Sequence, residues 1–245
     1  MITKVAVVGA TGRLGSLVCD IVEQSSDYDL VARLDSKGPL EDMLGAQIAV
    51  DVTLPGVSQR VVDFAVSHGI SVVVGTSGWS ADRITSLENH LAGSEVGVLV
   101  IPNFSLGSAL ATSFATIAAR YFESIEIVET HAATKVDSPS GTAVRTAELM
   151  GVARATLGPV IAPHTDQRAR GQQVASIPIH SLRLDGVLAR QDVVFSGNGE
   201  TVTVSHQTLS NESYRAGIHL ALDAARTATG VTVGLDKLID LGGAG

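Results

Sequence analysis

Over roughly the first hundred residues, short runs rich in β-branched side chains alternate with stretches of helical periodicity, and that alternation leaves little choice of architecture. Strands are expected over residues 5–8, 29–34, 49–53, 71–74 and 96–101, with helices over 14–24, 59–68 and 81–92 between them. Strands that are apolar throughout, rather than on alternate positions, are buried on both faces. The pattern therefore predicts an α/β fold, a parallel sheet built from right-handed strand–helix–strand units and covered on both sides. In such sheets ligands bind beyond the carboxyl ends of the strands.

After Phe104 the pattern changes. A small-residue helix over 107–121, a strand over 124–129 and a helix over 142–155 precede a polar loop over 158–172 that contains two prolines. Strands are expected at 174–184, 190–195 and 201–207, the last two joined by the hairpin signal Gly197-Asn198-Gly199. This is an α+β domain with a mixed or antiparallel sheet. The chain closes with a helix over 216–228 and a segment over 235–241.

The first strand runs into Gly9-Ala10-Thr11-Gly12-Arg13-Leu14-Gly15, which opens a helix. Glycines there permit a tight turn, close approach of backbone to a pyrophosphate, and tight helix–strand packing. The spacing G-x-x-G-x-x-G differs from the usual dinucleotide fingerprint, but the context, strand before and helix after, is the required one. Asp35 follows the second strand about twenty residues on, where an acid commonly binds the adenosine ribose hydroxyls. Arg13, Lys37 and Arg33 can instead accommodate a 2′-phosphate, so NADH and NADPH both stay open. Two further strand ends, Gly75-Thr76-Ser77-Gly78 and Ile101-Pro102-Asn103-Phe104-Ser105, fit the same rim, with Phe104 walling a nicotinamide ring.

A second concentration of chemistry lies in Glu129-Thr-His131-Ala-Ala-Thr-Lys135-Val-Asp137-Ser-Pro-Ser140-Gly141-Thr142-Ala143. His131 has the side chain whose ordinary pKa lies nearest neutrality, and Lys135 is a compact cation. The helix start at Ser140, Gly141 and Thr142 offers unpaired N–H groups and the positive end of a macrodipole, which attract carboxylates. Together they suit a small anionic substrate that must be held and protonated. Read blandly, the same segment is a capped helix preceded by a solvated loop.

Composition excludes several alternatives. A net charge of −8 argues against nucleic acid or an anionic membrane as partner. No apolar run approaches the roughly eighteen residues of a membrane span, and the chain opens without a basic leader, so it reads as cytoplasmic. The single cysteine, Cys19, forms no internal disulfide and is expected on a buried helix face. None of the seven histidines is spaced for a metal with another histidine or with cysteine, so no metal is expected. A serine hydrolase is disfavoured, since the G-x-S-x-G elbow is absent.

With these motifs in place, the chain resembles the 4-hydroxy-tetrahydrodipicolinate reductase (dihydrodipicolinate reductase) family along nearly its whole length. The resemblance rests on the glycine turn, Asp51-Val52-Thr53-Leu54-Pro55, Gly75-Thr76-Ser77-Gly78 and Pro102-Asn103-Phe104-Ser105. It continues through Lys135-Val136-Asp137-Ser138-Pro139-Ser140-Gly141-Thr142-Ala143, Arg170-Gly171 and Ile179-His180-Ser181-Leu182-Arg183. It implies a Rossmann-type dinucleotide-binding domain of residues 1–103 and 214–245, and a substrate-binding and tetramerisation domain of residues 104–213 that closes over the crevice. It further implies a homotetramer that reduces a cyclic dicarboxylate of lysine and diaminopimelate biosynthesis. Hydride from NADH or NADPH goes to C4 of the substrate with loss of water. His131 matches the family's proton donor, Lys135 its catalytic lysine donor, which also binds the substrate, and Gly141 and Thr142 the groups that bind a substrate carboxylate.

The chain departs from the family at Ala132, where a second histidine is usual, at Thr134, at Val52 in place of phenylalanine, and at Asn211 in place of arginine. A lost hydrogen bond to a charged group weakens binding by roughly 1.5–3 kcal/mol. Two rivals follow: a paralogue reducing another cyclic dicarboxylate, and a nicotinamide-binding sensor without turnover. Retention of both His131 and Lys135 disfavours the sensor.

Overall fold

Val5, Ala6, Val7 and Val8 are at most 2% exposed, and Val72 to Val74 and Val98 to Val100 are no more accessible, as strands sandwiched between helices require. The computed structural model describes residues 2–35 and 38–240. Contacts divide them into two units, the residues up to Leu106 together with those from Tyr214 on, and Gly107–Ser213.

In the first unit the elements are β1 (Thr3–Val8), α1 (Arg13–Gln24), β2 (Tyr28–Leu34), β3 (Ile48–Asp51), α2 (Pro55–Ser67), β4 (Ser71–Val74), α3 (Ala81–His90) and β5 (Gly97–Val100). After the second unit the chain returns with α6 (Arg215–Ala225) and β11 (Gly230–Val233). The six strands lie parallel in the order β11-β5-β4-β3-β1-β2. The order reverses between β1 and β3, which puts the glycine turn after β1 at the switch point where open α/β sheets bind ligands.

The second unit contains α4 (Leu106–Ala118, whose first residue belongs to the other unit), β6 (Ser124–Ala132), α5 (Gly141–Ala153), β7 (Gln172–Val174), β8 (Ile177–Leu184), β9 (Ala189–Gly197) and β10 (Glu200–Thr208). Its sheet, β10-β9-β6-β8-β7, is mixed: β6 and β8 are parallel and the other pairs antiparallel. Ile125 and Ile127 of β6, Ile177 and Ile179 of β8, and Val193 and Phe195 of β9 pack against Ala143, Ala147 and Met150 of α5 and Ala115 after the middle of α4.

Three expectations need correction. The single strand over 174–184 is a hairpin, broken at Ala175 and Ser176, which both adopt positive φ (49° and 66°). A strand absent from the sequence reading, β11, completes the parallel sheet beside β5. The strand expected over 124–129 runs on to Ala132, so His131 stands on a strand and only Lys135 on the loop after it. The polar segment before β7 contains a short 3-10 turn, Arg168–Arg170, whose Arg170 pairs with Glu126. Lys37 and residues 241–245, which the expectations above include, lie outside the described residues.

Candidate functional sites

In the first unit, Gly9 has φ +90°, and a Cβ there would stand 2.6 Å from the Val52 carbonyl oxygen. A Cβ on Gly15 would stand 2.0 Å from the Gly9 carbonyl oxygen, so only glycine lets α1 sit on the turn. Gly12 is the N-cap of α1 and supplies no side-chain cap. The first turn, Arg13 and Leu14 included, therefore presents backbone N–H groups and the positive helix end toward the turn, the donor set a pyrophosphate needs. Beside it an open cavity of about 610 Å³ is lined by Ala10, Thr11, Asp20, Arg33, Asp35 and Asp42 among others. Asp35 Oδ1 accepts a hydrogen bond from the Gly38 N–H at 2.8 Å, and Arg33 pairs with Glu23. The residues present fit a dinucleotide.

Farther along the same rim, Gly75 N–H and Thr76 Oγ1 both donate to the Asp51 carbonyl oxygen, at 2.8 and 3.3 Å. Ser77 and Pro102 are exposed, and Asn103 Oδ1 accepts from the Ser105 N–H at 2.9 Å. The side chains of Ile101 and Phe104 are 0% and 3% exposed. The Phe104 ring lies under Gly75, where an added Cβ would meet it at 2.6 Å. Both residues are buried, so the Phe104 ring backs the Gly75 turn from beneath and does not stand at the surface.

In the second unit the pleat does the positioning. Side chains at every second residue of a strand share a face, so the Ile125–Ile127 column of β6 continues into Glu129 and His131. The register sets Ser181 and Arg183 of β8 and Gln191 of β9 beside them. The face thus passes from apolar to charged within two residues, at the N-terminus of α5. Glu129 is 0% exposed. Its carboxylate accepts from Arg183 Nη1 and Nη2 at 3.0 and 2.9 Å and from the Ser140 N–H at 3.2 Å, and lies 2.5 Å from His131 Nδ1. Burial acts to raise the Glu129 pKa, but hydrogen bonds from Arg183, Ser181 and His131 outweigh it and hold the carboxyl below its ordinary range.

With Nδ1 turned to Glu129, Nε2 is the ring nitrogen of His131 directed elsewhere, and the imidazole is 17% exposed. Lys135 Nζ lies 2.7 Å from Asp137 Oδ1, whose pKa is lowered by that ammonium. The Asp137 carbonyl accepts from Arg183 Nη2 at 2.6 Å, which ties the lysine loop to the same guanidinium. Ser140 is 2% exposed; its hydroxyl caps α5 by accepting from the Ala143 N–H at 3.2 Å. Gly141 is exposed and Thr142 half-buried at the helix opening. His131, Lys135, Gly141 and Thr142 therefore lie together around one helix end, with Ser140 as its cap. Among the described residues no group of three or more His, Cys, Asp or Glu is placed to hold a metal ion.

Glu129 and Arg183 carry the geometry and were not singled out from the sequence as site residues. The signal was present: a glutamate two positions past Ile127 on an inward-facing strand is a buried charge, which needs a cation beside it.

Residues 3–104 match the family model described as dihydrodipicolinate reductase, N-terminus, and residues 107–239 the one described as dihydrodipicolinate reductase, C-terminus. A relative from Clavibacter sepedonicus named 4-hydroxy-tetrahydrodipicolinate reductase is 68% identical over 244 residues, covering 99% of this chain and 88% of its own. One of the same name from Streptomyces avermitilis is 46% identical over 247 residues, covering 97% and 98%. Among solved structures, a dipicolinate-bound dihydrodipicolinate reductase from Paenisporosarcina sp. TG-14 matches with a TM-score of 0.84 at 27% identity, covering 98% of this chain and 100% of that one.

Proposed function

This chain belongs to the dihydrodipicolinate reductase family, and we propose that it reduces 4-hydroxy-tetrahydrodipicolinate to tetrahydrodipicolinate in lysine and diaminopimelate biosynthesis. The reaction adds one hydride at C4 and one proton and releases water. A reduced nicotinamide dinucleotide supplies the hydride when bound. The turn from Gly9 through Leu14 would hold its pyrophosphate through the amides of Thr11, Arg13 and Leu14, those of Gly9, Ala10 and Gly12 being given to the Leu34 and Gly9 carbonyls. Asp35 would hold its ribose hydroxyls, and Gly75, Thr76, Ser77, Pro102 and Asn103 would line its other end, with Ile101 and Phe104 buried beneath. Of the two forms, NADH is favoured: Asp20, Asp35 and Asp42 line the cavity while Arg33 is engaged by Glu23. A 2′-phosphate there meets three carboxylates.

The observation that carries the reading is the Glu129–His131 pair beside the α5 N-terminus and Lys135. His131 delivers the proton from Nε2, since Glu129 holds Nδ1. The Lys135 ammonium and the N–H groups of Gly141 and Thr142 take the substrate carboxylates, Asp137 yielding the ammonium as the substrate arrives. The solved relative's bound dipicolinate, a planar dicarboxylate, is in keeping with such a ligand. Steady-state assays with NADH, NADPH and the hydroxylated dicarboxylate test the proposal. Turnover with a lower KM for NADH is expected, and no turnover at millimolar substrate overturns it.

Two further points belong to the same reading. The face of the second sheet turned away from α4 and α5 leaves Leu182 and Leu184 39% and 46% exposed, with Val128 and Val194 half-buried farther along the same face. Assembly through that face would give the homotetramer, and sedimentation as a monomer at micromolar concentration contradicts it. Among the described residues no helix is long and apolar enough to cross a membrane, and the enzyme's place is taken to be the cytoplasm.

A further inference from the structure

Asp51 ends β3 with a side chain 0% exposed, and among the described residues no cation pairs with it. A buried carboxylate without a cation is costly unless hydrogen-bond donors surround it. Here Oδ1 accepts from the Thr53 N–H at 3.1 Å and from Thr53 Oγ1 at 2.6 Å, and Oδ2 accepts from Ser58 Oγ. Ser58 lies in the first turns of α2, whose positive end adds to the stabilisation. Ser58 Oγ in turn accepts from Trp79 Nε1 at 3.0 Å. A directed chain results: the indole donates to the hydroxyl, and the hydroxyl donates to the carboxylate. Its ends join the segment after β3 to the segment after β4, which Gly78 also approaches closely, an added Cβ there standing 3.0 Å from Pro55 Cβ.

We propose that Asp51 is a positioning residue for the dinucleotide: through Thr53 and the Ser58–Trp79 chain it fixes the two strand-end loops, 52–55 and 75–79, in the arrangement that accepts the cofactor. The inference rests on the reading that Gly75, Thr76 and Ser77 contact the cofactor, and it gives the otherwise unused carboxylate a task. The chain explains why the residue is an acid and not an amide. An asparagine turned to present its oxygen to Ser58 points its NH2 at the Thr53 N–H. Turned the other way, its NH2 donates to Ser58 Oγ, and the Ser58 hydroxyl proton loses the carboxylate oxygen that accepted it. Either orientation breaks one link.

Trp79 is the only tryptophan, so its emission reports this chain alone. The test compares wild type with Asp51→Asn and Ser58→Ala, measuring NADH affinity by cofactor fluorescence, Trp79 emission without cofactor, and steady-state kinetics. Both variants are expected to shift Trp79 emission and to weaken NADH binding about tenfold, the scale of one hydrogen bond to a charged group. The KM for the dicarboxylate and kcat at saturating NADH stay near wild type. If Asp51→Asn does not fold, Ser58→Ala carries the test, since it removes the link to Trp79 and leaves Asp51 with Thr53. A role confined to capping α2 lowers the unfolding temperature and leaves NADH affinity unchanged, and that result overturns the proposal. Wild-type protein that binds neither NADH nor NADPH removes the cofactor reading together with this one, an outcome distinct from wild-type binding with unaltered variants.

Discussion

Donors from three elements converge on Glu129: Arg183 from β8, the Ser140 N–H at the start of α5, and the His131 imidazole from its own strand. A carboxylate so enclosed keeps its charge and acts on the imidazole as a fixed acceptor, setting which ring nitrogen faces Glu129 and which faces away. His131→Ala is therefore expected to lower kcat by about 10²- to 10⁴-fold, the usual contribution of a positioned acid, with the fold retained by circular dichroism. Glu129→Gln should lower kcat as well while leaving the dicarboxylate KM within about threefold, since the lost interaction orients the donor rather than binding the substrate. It should also lower the unfolding temperature, because Arg183 is left without its buried anion. A Glu129→Gln enzyme with wild-type kcat would show that the imidazole needs no anchor. Histidine and lysine four apart before a capped helix were legible as chemistry from their types alone. Glu129 and Arg183 were not, because they are 54 residues apart and meet only through the parallel pairing of β6 with β8.

Among elements, the continuous apolar strands β1, β3, β4 and β5 were readable because burial on both faces leaves an unmistakable run, and the Asn198-Gly199 hairpin because its turn demands those residues. The β7–β8 hairpin was not, because tertiary contacts chose its turn residues against local preference. Ala175 faces Gly151 of α5, where an added Cβ would lie 2.7 Å from the Ala175 Cβ, so a larger residue does not fit. Ser176 Oγ accepts from the Val160 N–H at 3.0 Å. Both residues are thereby held at positive φ, which is strained for any side chain. Ala175→Gly should then stabilise the protein by about 1 kcal/mol, raising the unfolding temperature by roughly 2–4 °C. Ser176→Gly relieves similar strain but loses the bond to Val160, and should leave that temperature nearly unchanged. Equal gains from both variants in thermal scans would mean the serine hydroxyl contributes nothing. β11 escaped notice for a related reason: four residues of Gly-Val-Thr-Val have no pattern long enough to read. The strand exists because α6 returns the chain to β5, with Gly217 so close to Phe104 that a Cβ would stand 1.9 Å from its carbonyl oxygen.

At the scale of the whole molecule, the second unit carries a set of groups that make its stability depend on acid. Burial favours the charged form of none of them, yet Arg170 and His180 around Glu126, and Arg183, Ser181 and His131 around Glu129, outweigh it and hold both carboxyls low. Arg190 and Ser205 do the same for Asp192. His206 of β10, packed against Gly107, is held low by burial and so stays neutral in the fold at pH values where the unfolded chain is protonated. In each case the unfolded chain binds more protons than the folded one between the two pKa values, so stability falls as pH falls. The loss should begin below about pH 6.5 as the unfolded-state histidine takes its proton, and steepen below about pH 4.5 as the glutamates do. Amide hydrogen exchange followed from pH 7 downward, with intrinsic rates corrected for pH, gives the check. Protection in β6, β8 and β9 is expected to decline through both windows, and His206→Gln should remove the first while leaving the second. Protection in those strands that holds level down to pH 4 would mean that these ion pairs add nothing to the stability of the mixed sheet.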